Sequence, residues 1–236
     1  MNHSNKLIVM LLLTLSPSIA SATDTFNNWV PNGWRMFSQA TGDLNNDGKD
    51  DAVLIIEENN PDKIIKDPKE KDKTYNTNPR TLIVLFSRNE RYEKVISRSD
   101  LLPTEGNINY PCQKDLLAGG GVSINKGKIL FTLANVSNCG TGLTSTDTFT
   151  FRHDRNDDFE LIGRDSLSFS KKTGAELKVS INYLTQKVKV TAGGNIYTHK
   201  QGNDKWSKIS PVDLSKISTF KIQCFGSSTL GCEWSI

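Results

Sequence analysis

The chain has 236 residues, 36% of them hydrophobic and 23% charged, with a formal net charge of +3. That length fills one core or two small ones, and so slight a positive excess, with both signs interspersed, excludes a dedicated nucleic-acid binder. After the amino-terminal run no stretch approaches the ~20 apolar residues that a membrane-spanning helix needs.

The amino terminus has the parts of an export signal. Lys6 puts a positive charge ahead of the apolar run 7–15, Pro17 breaks that run, and Ala20-Ser21-Ala22 offers a small-x-small cleavage site before Thr23. The apolar run is too short to span a bilayer, and the residue directly after the cleavage site is Thr23, not a cysteine that could take a lipid anchor. Residues 1–22 are therefore expected to be removed on export. Residues 23–236 are expected to form one all-β domain in the bacterial periplasm or outside the cell, with no membrane insertion. Loss of Lys6 takes the net charge from +3 to +2.

The first chemical motif runs Asp43-Leu44-Asn45-Asn46-Asp47-Gly48-Lys49-Asp50-Asp51. Oxygen-bearing side chains stand at loop positions 1, 3, 5 and 9, and glycine stands at position 6. Alternate residues of a tight loop can face one centre, glycine permits the sharp turn, and the Lys49 carbonyl can add a donor. Calcium takes about 6–8 hard oxygen ligands, and three carboxylates held together repel one another without a cation. Asp50 falls off this rhythm and is expected to face water. An EF-hand would need a bidentate glutamate at position 12 of the loop; Leu54 stands there, inside a predicted strand. The loop is thus expected to join two β-strands.

The stretch 42–56 resembles the calcium loop of FG-GAP/VCBS-type repeats, the family of integrin-like β-propellers. The resemblance implies Ca2+ held by Asp43, Asn45, Asp47, Asp51 and the carbonyl of Lys49. The chain departs from that family in having one full loop instead of several. Asp154-Arg155-Asn156-Asp157-Asp158 begins in the same way, but Phe159 replaces the glycine, which predicts a hairpin turn. The order of signal segment, single loop and β-hairpins also resembles a set of bacterial periplasmic proteins. Some periplasmic immunity proteins of contact-delivered toxins have similar all-β builds.

Residues 57–80 are polar, rich in Lys and Asp, and carry Pro61, Pro68 and Pro79. They predict a flexible solvated loop, with partner binding as the sharper alternative. From there on, helix signals are scarce. Short β-branched or aromatic runs bounded by Asn, Asp and Gly predict strands at 52–56, 81–86, 128–133, 148–152, 177–181 and 187–191, with turns at 125–127 and 193–195. The pattern predicts antiparallel meanders.

A weak internal repeat overlies these strands. Residues 92–101, 159–167 and 206–214 each follow a polar turn, open on an aromatic, continue in aliphatic residues and close on leucine. Each reads as the second strand of a hairpin, and a propeller-like arrangement is one outcome of such repetition.

The four cysteines, Cys112, Cys139, Cys224 and Cys232, all lie in the exported part. An even set in an oxidising compartment predicts two disulfides. Of the three pairings, Cys112–Cys139 with Cys224–Cys232 closes the shortest loops and is the expected one. Ligand pairs close enough for zinc, such as C-x2-C, do not occur.

No motif of nucleophilic or metal-assisted catalysis occurs in the sequence. His153 and His199 read as surface histidines beside turns. Paired carboxylates remain as a route to glycan hydrolysis, with Glu57, Glu93, Glu160 and Glu176 as candidates by type alone. The expected function is therefore a non-enzymatic binding or inhibitor (immunity-type) protein, stabilised by calcium and disulfides, with a protein or cell-wall partner. A secreted glycan hydrolase is the alternative.

Overall fold

Most strands pair with their chain neighbours. The computed structural model describes residues 26–109, 111–119, 121–136, 142–211 and 213–220. The expected signal segment 1–22 and Cys139, Cys224 and Cys232 lie outside them. Among the described residues no helix is long and apolar enough to cross a membrane, and the only helical pieces are two short 3-10 turns.

The first sheet holds β1 (Trp34–Gly42), β2 (Asp51–Glu58), β5 (Arg80–Arg88) and β6 (Arg91–Arg98), in that order. Its central strand β2 reads Ala52-Val53-Leu54-Ile55-Ile56 without alternation because it is buried on both faces. Val53 and Ile55 face the main core with Leu82, Val84, Phe86 and Ile96. Ala52, Leu54, Ile56, Ile83 and Leu85 face a second cluster, closed by Phe26, Trp29 and Trp34 from the amino-terminal end.

The second sheet is a seven-stranded meander. Its strands are β7 (Gly121–Asn125), β8 (Lys128–Val136), β9 (Leu143–His153), β10 (Phe159–Ser170), β11 (Ala175–Asn182), β12 (Lys187–Asn195) and β13 (Asn203–Lys208), side by side in chain order. All pairings in both sheets are antiparallel. Ile129, Phe131, Leu133, Phe149, Phe151, Phe159 and Leu161 give the first half of this sheet its buried face, packed in the main core. Phe131 and Phe151 meet edge-to-face at 5.9 Å between centroids, a favoured aromatic geometry. Past β10 burial falls away, and all six residues of β13 are exposed.

The antiparallel all-β expectation holds, and each of the six predicted strands lies inside an observed one. All three repeat segments begin in the second strand of a hairpin, in β6, β10 and β13. They do not build a propeller: the last two lie in one continuous sheet, and the first in the other. The turn expected at 193–195 is the end of β12, and the chain turns after it instead.

The polar stretch 57–80 is not an open loop. It contains a two-stranded ribbon, β3 (Ile64–Lys66) with β4 (Thr74–Asn76), entered through a 3-10 turn at Pro61–Lys63. Asn60 caps that turn, its side chain accepting from the Asp62 amide. Tyr75 and Asn78 are buried, and both ends of the stretch, Glu57 and Arg80, are fully buried.

Candidate functional site

The loop between β1 and β2 is tied by its own side chains. Asp43 accepts three backbone amides, from Asn46 at 2.7 Å, Asp47 at 3.2 Å and Gly48 at 2.9 Å. Asn45 Oδ1 accepts from the Asp47 amide, Asn45 Nδ2 donates to Asp47 Oδ2, and Asp47 Oδ1 accepts from the Lys49 amide. Gly48 has a φ of +81°, the left-handed turn that favours glycine. At the mouth of the loop Gly42 lies so close to β7 that an added Cβ would stand 2.8 Å from Ile124 Cγ2.

Asp51 closes the loop from below. It is fully buried, with Oδ2 accepting from the Leu44 amide and Oδ1 from the Ser87 amide, both at 2.9 Å. Burial pushes its carboxyl above the usual aspartate value; the two amides pull the other way, and the charges of Asp47 and Asp43 add to the rise. Asp50 is exposed, as its place in the rhythm predicts.

By donor type, these residues suit a hard divalent cation. A carboxylate has about four lone-pair sites, so its amide bonds leave acceptor capacity on Asp43, Asp47 and Asp51. The side chains are nonetheless turned onto amides. Among the described residues no group of three or more Asp, Glu, His or Cys side chains is gathered as a metal cluster.

The carboxylates named for glycan hydrolysis stand on four different strands, and each has its own cation. Glu57 on β2 is bound by Arg80 and Arg35, Glu93 on β6 by Arg88, Glu160 on β10 by Arg152, and Glu176 on β11 by Lys178. Buried Arg80 also makes a bidentate pair with Asp115, both contacts at 2.7 Å, and its guanidinium lies 4.1 Å from the Phe37 ring centre. A fork with every arm engaged suits a brace between strands and the 101–119 segment.

His153 departs from the surface placement expected of it. Its side chain is 20% exposed, its ring packs edge-on to Phe86 at 5.1 Å, and Nε2 makes no hydrogen bond, lying 3.5 Å from Asp157 Oδ1. His199 is exposed. Cys112, the one described cysteine, is disulfide-bonded.

The larger sheet carries a feature not anticipated from the sequence. On the face turned away from the main core lies a groove of about 370 Å³, lined from β9, β10, β11 and β12. Register places one ladder of side chains straight across six strands: Thr132, Thr148, Asp165, Ser180, Lys189 and Trp206. Directly opposed residues of an antiparallel pair share a face, so Trp206 stands on the groove side. A parallel row beside it includes Thr146, Lys178 and Thr191. The visible signal was threonine at every second position of β9, Thr144, Thr146, Thr148 and Thr150. That period puts a hydroxyl stripe on one face.

Comparison with known protein families, with curated proteins and with solved structures finds no match to this chain.

Proposed function

We propose that this chain is an exported, non-enzymatic binding protein of the bacterial periplasm, presenting the free end of its larger sheet to a partner of the cell envelope. One observation carries the reading. Of the eight exposed large hydrophobic side chains among the described residues, four belong to the β11–β13 end: Leu177 at 42%, Leu184 at 44%, Tyr197 at 56% and Trp206 at 63% exposure. Apolar side chains concentrated on a stiff, hydrogen-bonded support suit binding better than they suit solvent. Two braces belong to the same reading: a calcium ion in the Asp43–Asp51 loop, and disulfides Cys112–Cys139 and Cys224–Cys232. An inhibitor or immunity-type role fits a rigid surface of this kind.

Copurification from periplasm tests it, using the wild-type chain beside Leu184→Asp. A species retained by the wild type and reduced at least tenfold with the variant is the expected result. Equal recovery from both, or none from either, overturns the reading.

A further inference from the structure

The groove on the outer face points to a ligand class. We propose that it binds an uncharged, extended oligosaccharide lying across the strands, with one sugar stacked on Trp206. This rests on the reading of the larger sheet as a binding surface and names the ligand of its outer face.

The donor and acceptor inventory comes first. The groove offers the hydroxyls of Thr146 and Ser180, the ammonium groups of Lys178 and Lys189, and the Asp165 carboxylate. Asp165 is exposed and has no protein partner among the described residues. Such a wall both donates and accepts along its length. A sugar hydroxyl does the same, whereas a phosphate only accepts and would face Asp165 across the groove.

Charge narrows the class further. Lys178 is already paired with Glu176 at 2.9 Å, and Lys189 stands 3.8 Å from Asp204. The positive charge of the groove is thus answered on its own face. A polyanion, whose binding depends on unpaired Lys and Arg releasing its counterions, finds no such field here.

Trp206 supplies the apolar half of sugar recognition. Its indole is exposed on the groove side, opposite Lys189, whose Nζ lies 5.8 Å from the ring centre. A pyranose has an apolar C–H face and polar edges. A large flat ring beside hydrogen-bonding groups meets both at once.

The spacing also suits a chain. Successive members of the ladder step by the distance between strands, about 4.8 Å, which is comparable with the repeat of an extended pyranose chain. The groove volume lies within the about 300–1,000 Å³ of small-molecule sites. Its hydroxyl and carboxylate groups sit on short side chains fixed to a sheet, so little freedom is lost when a ligand binds.

Isothermal titration of the whole exported chain with cellotetraose and with chitotetraose, both neutral and β-linked, tests the proposal. Saturable binding of at least one is expected. Trp206→Ala should weaken it at least tenfold and Asp165→Ala at least fivefold. Lys205→Ala, on the opposite face of β13, should leave it unchanged, with thermal melts confirming that every variant is folded. Binding of neither sugar, or binding indifferent to both groove substitutions, overturns the proposal. A protein partner lost with Leu184→Asp while both sugars fail to bind removes the glycan and leaves the broader binding reading standing. Loss of both results removes both.

Discussion

At the scale of single residues, the buried polar groups are answered one by one. Glu57 and Arg80 sit in the core because each oxygen and each guanidinium edge finds a counterpart, and removing one member would strand a buried charge. Asp154 shows the same economy at a turn. Its Oδ1 accepts the Asn156 and Asp158 amides, and its Oδ2 takes Lys216 Nζ at 2.6 Å. Burial acts to raise this carboxyl, but Lys216 and the two amides outweigh it and hold it at about 2. An aspartate depressed on folding adds stability that is complete above its unfolded value of about 3.9 and is lost as pH falls through the folded one. Urea titrations should therefore show wild-type stability falling more steeply from pH ~4 to ~2 than that of Asp154→Asn. Parallel slopes would remove Asp154 from the acid response.

At the scale of elements, the β1–β2 loop gives the sharpest test. A ligand that binds only the folded chain stabilises it by mass action. Chelator should lower the melting temperature of the wild type and leave that of Asp47→Ala unaffected; a wild-type melting curve indifferent to chelator would take calcium out of the account. Legibility in the sequence followed burial. The strands 52–56 and 81–86 stood out because both their faces are buried and their apolar runs are continuous. The position of the Asp43–Asp51 loop between two strands was equally plain from spacing. The ribbon β3–β4 was missed because its strands are three residues each and exposed for the most part, held by backbone pairing and by Tyr75 instead of a hydrophobic pattern. The engagement of Glu57 with Arg80 was hidden for a different reason. Their pairing spans 23 residues of sequence, and no local pattern marks two charges that will meet inside a core. The groove was half legible: the threonine stripe shows in β9, but its alignment with Asp165 and Trp206 depends on the register of four successive pairings.

At the scale of the whole molecule, stability and binding surface are separated along one sheet. Strands β8 to β10 carry the aromatic core, whereas β13 is exposed at every position. Truncating Phe151 to alanine should cost about 3–5 kcal/mol in urea unfolding. Trp206→Ala should stay within about 0.5 kcal/mol of wild type, as surface changes do. Comparable losses at the two sites would mean that β13 is part of the load that keeps the molecule folded.

The meander also sets an order of assembly. Each strand from β8 to β13 pairs with the one just made, so these hairpins close over short loops, the quick kind of contact. The segment after β13 is the exception. It doubles back so that the Ile217 amide reaches the Phe159 carbonyl, and Phe220 lies against Phe149 and Phe151 at 5.5 and 5.3 Å. The aromatic layer is therefore latched by a segment that follows every strand of the sheet. A nascent molecule can hold most of its hairpins and still leave those phenylalanines wet until that latch falls.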